Sequence, residues 1–399
     1  MPNLRELENA MPVAPLKIAA LPSAERMGQR INDYMVNFRK NIRNDKVKND
    51  PAFHGYIEKN YLVDLKIPRF GSGEAKAEFG ETIRGKDLFL LTDVCNHSIT
   101  YEMNGYTNHM SPDDHYQDLK RVIAACAGKA HRVNVIMPFL YEGRQHKRNG
   151  RESLDCAYAL RELSNMGVHN LITFDAHDPR VANATPLNGF DNFATSYQFI
   201  KALLNAEDDL LLDKEHLLVI SPDEGALDRA IYFAGVLGVD TGMFYKRRDY
   251  SVIVNGKNPI VAHEFLGDNI DGKDIIIVDD MISSGGSMLD TARQLKKMNA
   301  RRVFICCTFG LFTNGLKDFD AAYEQGDFDK VVTTDLTYLP PELYTRPYFI
   351  EADMSKFVTS LIDFMNHDIS LSNVFATTEK MQGILDAYNE RRNVEMDFI

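Results

Sequence analysis

The segment Asp274–Leu295, DIIIVDDMISSGGSMLDTARQL, limits what this chain can fold into more than any other. Ile275, Ile276, Ile277 and Val278 form a wholly apolar, β-branched run, which predicts a strand buried on both faces of a parallel sheet. The adjacent carboxylates Asp279 and Asp280 fall where that strand is expected to end. Ser283, Ser284, Gly285, Gly286 and Ser287 then supply small hydroxyls and two residues free to take positive φ. A helical pattern follows at once in Met288, Ala292, Leu295 and Met298. In a strand–loop–helix unit of this kind, backbone N–H groups and the helix dipole converge on one point and favour a phosphate there. The two acids beside it suit the hydroxyls of a sugar or a Mg²⁺ ion. The segment reads as a sugar-phosphate site. A plainer reading is a serine-capped βα turn beside two solvated acids. Against it, neighbouring carboxylates repel unless something cationic or hydroxylic satisfies them. No Gly-Lys-Ser/Thr follows, so the loop is not a Walker loop.

A chain of 399 residues has room for two domains with proper cores. Its net charge of −12 argues against a general nucleic-acid or membrane surface, either of which would be basic. An anionic ligand must therefore be held by local cationic clusters. Cys95, Cys126, Cys156, Cys306 and Cys307 show no CxxC spacing, so neither a zinc site nor a disulfide framework is indicated. There is no signal-peptide pattern, and no apolar run approaches the ~18 residues of a membrane span. A reducing cytoplasm is the expected compartment.

Along the chain, residues up to Pro15 read as a loose lead-in, Leu16–Leu21 as a strand and Ser23–Lys40 as a helix capped by Ser23. Residues near 40–65 are polar and read as an insertion. A glycine-punctuated turn, Phe70-Gly71-Ser72-Gly73-Glu74, precedes strands at Ala75–Phe79 and Asp87–Leu91, and Asn96–Pro112 reads as a long polar loop. From there strands and helices alternate. Strands are expected at Val133–Phe139, Asn170–Phe174, Leu217–Ile220, Thr241–Phe244, Val303–Thr308 and Lys330–Thr334, and a helix at Met354–Met365. The pattern predicts an α/β chain of two similar domains, each a mainly parallel sheet flanked by helices. The expected divisions are 16–195, 196–355, and a C-terminal helix and tail over 356–399.

Every functional-looking cluster falls just after an expected strand, where the loops of open parallel sheets converge on a ligand crevice. Arg144, Lys147 and Arg148 make a cation-rich loop in an acidic protein; alone, such a run is usually a solvated face. A second cationic strand end, Lys246-Arg247-Arg248, followed about thirty residues on by the sugar-phosphate loop, points instead to phosphate binding. His177, between Asp175 and Asp178 at a strand end, is a candidate metal ligand or phosphate donor; a lone histidine is more often structural. Asp223 suits an oxygen ligand of Mg²⁺, or equally a helix cap. The glycine- and asparagine-containing segment from Tyr250 to Gly272 suits a flap closing over phosphates.

Taken in order, GRQ-x-[KR]-R at Gly143–Arg148, D-x-H at Asp175–His177, SPD-x-G at Ser221–Gly225, KRR at Lys246–Arg248 and VDDMI-x-x-GG-[ST] at Val278–Ser287 resemble the ribose-phosphate pyrophosphokinase (phosphoribosyl pyrophosphate synthetase) family. The similarity covers roughly Leu16 to Phe375. It implies two tandem phosphoribosyltransferase-type domains and transfer of pyrophosphate from ATP to the 1-hydroxyl of ribose 5-phosphate, releasing AMP. The nucleotide side falls in the first domain and the ribose 5-phosphate site in the second. By the resemblance, the 5-phosphate sits on Ser283, Ser284, Gly285, Gly286 and Ser287, with Asp279 and Asp280 on the ribose hydroxyls. His177 and Asp223 hold Mg²⁺, and Lys246, Arg248 and His177 are catalytic. Arg144, Gln145 and Arg148 hold the nucleotide. The turn bearing Phe70, Ser72 and Glu74 reaches the adenine of a neighbouring subunit, which implies a homo-oligomer. Three motifs depart from the family: Ser72 and His146 stand where it carries aspartate, and its DTGGT loop reads SSGGS here. A phosphoribosyltransferase, needing only one such domain, and a catalytically silent regulatory homologue are the competing readings.

Overall fold

The computed structural model describes residues 7, 10–41, 50, 53–248, 260–371 and 377–396, giving the backbone alone for 246–248, 260–263, 377–380 and 391–396. The chain forms two α/β units. One comprises residues up to Ala194 with Asp335–Tyr338 and 353–371; the other comprises Thr195–Thr334, Leu339–Ala352 and 377–396.

In the first unit, β1 (Leu16–Ala20), β4 (Asp87–Leu91), β7 (Arg132–Ile136), β8 (Asn170–Phe174) and β9 (Gly189–Phe193) lie side by side in that order, all parallel. The all-apolar core of β4, LFLL, is buried on both faces, as a central parallel strand requires. Helices α2 (Pro112–Cys126) and α3 (Asp155–Asn165) bury Leu119, Val122, Leu160 and Leu163 in one core with Leu88, Leu90 and Val135. Ser111 caps α2 in a reciprocal box with Asp114. Two short antiparallel pairs complete the unit: β2 (Leu65–Lys66) with β3 (Glu78–Phe79), and β5 (Thr100–Met103) with β6 (Tyr106–His109). The last pair lies inside Asn96–Pro112, where a loop was expected. Its Asn104-Gly105 turn has φ of 52° and 80°, the positive pair that suits a two-residue hairpin.

Helix α1 (Glu25–Lys40) is present as expected, but Ser23 does not cap it. The Ser23 hydroxyl accepts the N–H of Asp93 at 3.1 Å instead, tying the start of α1 to the end of β4. The lead-in is not wholly loose either, since Val13 N–H donates to the Asn366 carbonyl at 2.7 Å.

The second unit is a seven-stranded sheet. Its order is β12 (Ile260–Leu266), β11 (Asp240–Arg248), β10 (Leu217–Ser221), β13 (Asp274–Ile282), β14 (Arg302–Gly310), β15 (Lys330–Thr334) and β16 (Phe349–Ala352). Only β12 runs antiparallel. Successive residues of β13 serve opposite cores, as strand alternation demands. Ile275 and Ile277 pack with α6 (Gly286–Lys297) and α7 (Lys317–Glu324). Ile276 and Val278 pack with α4 (Ser196–Ala206), α5 (Leu227–Leu237) and α9 (Thr377–Met396). Each of these side chains is 0–1% exposed, and burial on that scale is worth about 1.5–3 kcal/mol apiece.

Two strands run beyond their expected ends. β13 continues through Asp279 and Asp280 because β14 pairs with it as far as Ile282–Gly310. β11 continues through Lys246 and Arg248 because β12 supplies an antiparallel partner, from Met243–Leu266 to Arg248–Ile260. The end of the expected flap, from Ile260, is therefore strand; residues 250–259 of that flap lie outside the described residues.

The segment over 356–399 does not stay together. Helix α8 (Ser355–Asn366) belongs to the first unit, whereas α9 belongs to the second. The Arg39 guanidinium of α1 is fully buried and donates to Asp363 at 2.7 Å and Asn366 at 2.9 Å, both on α8. Asn366 in turn donates to Asp87, which also receives two hydrogen bonds from Arg132.

Candidate active site

In the second unit, β11, β10 and β13 are parallel neighbours, so their carboxyl ends bring three sequence-expected clusters to one edge of a sheet. The loop after β13 turns sharply at Gly285, whose φ of 85° is left-handed, and helix α6 begins at the next residue. A Cβ at Gly285 would collide with the buried ring of Phe319. Glycine is thus required there twice over, by conformation and by space. The Ser283 carbonyl accepts Thr313 N–H at 3.0 Å, which fixes the loop against the segment after β14. The first N–H groups of α6 have no acceptor within the helix and lie beside the loop, an arrangement suited to an anion.

Asp280 is buried, whereas Asp279 keeps 23% of its side chain open. Burial, and then the charge of Asp280, push the Asp279 carboxyl well above its usual range. Opposing them, Arg229 Nη1 of α5 sits 3.8 Å from Asp279 Oδ1. Arg229 was not found by sequence reasoning. It lies one helical turn beyond the SPD-x-G motif, and that spacing was its only signal. It supplies the cation that a pair of neighbouring acids calls for.

Asp223 follows β10. Its Oδ1 accepts Gly225 N–H at 2.9 Å, so it does cap a short 3₁₀ turn, and its own carbonyl accepts the Ser221 hydroxyl. One carboxylate oxygen is engaged in that cap, and Oδ2 is the atom available to a cation. The backbone of Lys246 and Arg248 sits on β11, where the pairing register with β12 shifts between Arg247 and Arg248, β12 carrying the extra residue; their side chains lie outside the described residues.

In the first unit, β7 and β8 are parallel neighbours. The Thr173 hydroxyl at the end of β8 donates to the Pro138 carbonyl after β7, joining the bases of two loops. One loop carries Arg144, Gln145 and Arg148. Both arginines are exposed, free to reach an anion, while the Gln145 amide donates to the carbonyls of Lys147 and Ser153. Gln145 thus shapes the loop and leaves its amide oxygen to a ligand. The other loop carries His177, which is exposed, and Asp178, which is buried. Forked hydrogen bonds from Arg180 hold the Asp178 carboxyl down at about 2. His146, from the arginine loop, bridges the two: its Nε2 is 3.4 Å from Asp178 Oδ2, and its ring centroid is 5.4 Å from that of His177. Sequence reasoning noted His146 only as a departure from the family.

The turn bearing Phe70, Ser72 and Glu74 is held by a separate set of contacts. Phe70 N–H donates to the Glu74 carbonyl, Asn104 N–H donates to the Gly71 carbonyl, and Arg69 binds Asp118 on α2 at 2.7 Å. The Phe70 ring is 55% exposed. The Ser72 hydroxyl donates to Glu74 at 2.9 Å, so the shorter side chain is committed locally and Glu74 is left as the acceptor for a ligand. Among the described residues no three histidine, cysteine, aspartate or glutamate side chains converge on a cation site. His177 belongs to the first unit and Asp223 to the second.

Two family models match the chain. Residues 16–167 match the N-terminal domain of ribose phosphate pyrophosphokinase, and residues 192–331 match the phosphoribosyl transferase domain. The ribose-phosphate pyrophosphokinase of Vibrio parahaemolyticus is 27% identical over 318 residues, 79% of this chain and 91% of the relative. That of Corynebacterium glutamicum is 28% identical over 267 residues, 67% of this chain and 74% of the relative. Among solved structures, the fold is similar to a phosphoribosylpyrophosphate synthetase from Mycobacterium smegmatis, with a TM-score of 0.67 at 19% identity over 88% of this chain and 98% of that one. Two family models in tandem and relatives matched over 74% and 91% of their own length agree with the motif order, and the chain belongs to the ribose-phosphate pyrophosphokinase family.

Proposed function

We propose that this chain is a ribose-phosphate diphosphokinase, transferring pyrophosphate from ATP to the 1-hydroxyl of ribose 5-phosphate to give phosphoribosyl pyrophosphate and AMP. The observation that carries the reading is the β13 edge: a glycine-turned phosphate loop opening α6, a carboxylate pair beside it, and the Asp223 and Lys246–Arg248 strand ends on adjacent parallel strands. The loop over Ser283–Ser287 binds the 5-phosphate. Asp279, with its raised affinity for a proton, accepts or donates to the ribose hydroxyls, and Arg229 limits its repulsion from Asp280. Arg144 and Arg148 hold the nucleotide phosphates.

Phosphoryl-type transfers depend on position and charge rather than on covalent chemistry from the protein. Lys246 and Arg248 are assigned to the charge that develops on the transferred β-phosphorus. Each in its own unit, His177 and Asp223 (through Oδ2) are the residues assigned to Mg²⁺, which would supply positive charge to phosphate. Asp223 offers the oxygen donor that Mg²⁺ prefers, whereas the imidazole of His177 is the less usual donor for it. The exposed Phe70 turn supports a homo-oligomer in which it reaches a neighbouring subunit's adenine. Five free thiols suit a reducing cytoplasm, and no described helix is long and apolar enough to cross a membrane.

The engagement of Ser72 with Glu74 favours one second reading, a catalytically silent homologue that regulates an active partner. A coupled assay separates the two. Purified protein with ATP, ribose 5-phosphate and Mg²⁺ is expected to release AMP in proportion to phosphoribosyl pyrophosphate. Absence of AMP above background at saturating substrates gives the silent reading its place.

A further inference from the structure

His146 is a half-buried imidazole, with its Nδ1 atom inaccessible, in an arginine-rich loop. Its Nδ1 has no hydrogen-bond partner among the described residues, an unusual state for a buried polar atom. The ring's other nitrogen, Nε2, faces Asp178 Oδ2 at 3.4 Å, and the Arg180 fork fixes that carboxylate in place. A carboxylate beside one nitrogen of an imidazole orients the ring. The nitrogen away from Asp178 here is Nδ1. A carboxylate–imidazole pair of this kind is the usual backing of a metal-bound histidine.

The second imidazole is close. The His146 and His177 rings are 5.4 Å apart, centroid to centroid, at 54°. With metal–nitrogen bonds of about 2.1 Å, two imidazoles on one cation have centroids roughly 5 Å apart. The loops that carry them are joined at their bases by Thr173 and Pro138. We propose that His146 Nδ1 and His177 form a two-imidazole half-site, backed by Asp178, that selects a borderline divalent cation such as Co²⁺ over Mg²⁺. The inference rests on the metal role given to His177 above and adds a ligand and a preference to it. Imidazole nitrogen suits the later first-row divalent metals, whereas Mg²⁺ takes oxygen and water. An aspartate at position 146 would supply oxygen, whereas the histidine supplies nitrogen. The remaining positions on the cation are left to water or phosphate oxygens.

The test is direct titration of the full chain with CoCl₂ and with MgCl₂, read by calorimetry and by the visible absorption of protein-bound Co²⁺. The wild-type protein is expected to bind Co²⁺ at least tenfold more tightly than either His146→Ala or His146→Asp. His146→Asp should recover Mg²⁺ binding relative to His146→Ala. Circular dichroism and thermal melting identify any variant that fails to fold, and the second substitution then carries the comparison. If both His146 variants keep the wild-type Co²⁺ affinity and spectrum while His177→Ala loses them, the half-site is wrong and His177 alone holds the ion. If His177→Ala also binds as wild type does, the metal role of this loop is overturned as well, independently of the AMP assay.

Discussion

Lys246 and Arg248 carry the sharpest expectation for a single residue. A charge needed only as the β-phosphorus is transferred acts on the transition state more than on bound substrate. Lys246→Ala and Arg248→Ala are each expected to lower kcat by about 10²-fold or more, the scale of losing one preorganised donor, with far smaller changes in KM. Steady-state kinetics on both substrates checks this; loss of ATP affinity at normal kcat would make the two residues ground-state clamps. Asp279→Ala should differ by raising KM for ribose 5-phosphate as well. Asp93 sets a second expectation. Its oxygens accept Cys95 N–H at 2.8 Å and Tyr338 N–H at 2.6 Å, yet burial outweighs those bonds and lifts the carboxyl to about 7. The folded state therefore binds a proton that the unfolded chain releases near 3.8. Asp93 adds stability below that pH, and its contribution is lost as pH rises toward 7. Asp93→Asn should flatten the fall of melting temperature between pH 5 and pH 7; an unchanged slope would show that the carboxyl titrates elsewhere.

At the scale of elements, the phosphate loop depends on one residue. Gly285 ends the β13 segment in a left-handed turn and sets the first N–H groups of α6 toward the loop. Gly285→Ala places a methyl against Phe319, a buried member of the core under α6, in a backbone conformation that side chains avoid. The backbone strain alone is worth about 1–3 kcal/mol. Denaturant unfolding should register at least that loss, and ribose 5-phosphate binding should weaken with it because the helix start must move. Retained affinity at reduced stability would detach the loop from the phosphate. The same kind of dependence explains β11, which reaches Arg248 only because β12 pairs with it along its length.

For the whole molecule, the division into units does not follow chain order. After β15 the chain supplies Asp335–Tyr338 to the first unit, returns to the second through β16, and then delivers α8 to the first. The buried Arg39–Asp363 pair marks that last attachment, with 1% and 2% of the two side chains exposed. Removing one partner of a buried ion pair strands the other charge and costs about 3–5 kcal/mol. Asp363→Ala is therefore expected to destabilise the first unit by that amount, seen as an earlier unfolding transition in calorimetry, with a smaller effect on the transition of the second. A loss under ~1 kcal/mol would place the pair with solvent-exposed bridges instead.

The amino-acid sequence by itself determined the alternation of strands and helices, the buried runs at Asp87–Leu91, Asn170–Phe174 and Ile275–Val278, and the order of motifs that names the family. These are local properties: apolar, β-branched runs mark burial, and glycine with small hydroxyls marks a turn that admits an anion. Tertiary structure alone decided the partners. Nothing in the periodicity of Ser355–Asn366 says that its buried face meets α1, that Arg229 from another helix stands 3.8 Å from Asp279, or that His146 leans on Asp178. The Asn104-Gly105 hairpin is written in its own turn residues, whereas these contacts have no local sequence signal. Side-chain pattern records that a residue is buried, and only the closed fold records against what, because that depends on segments up to hundreds of residues away.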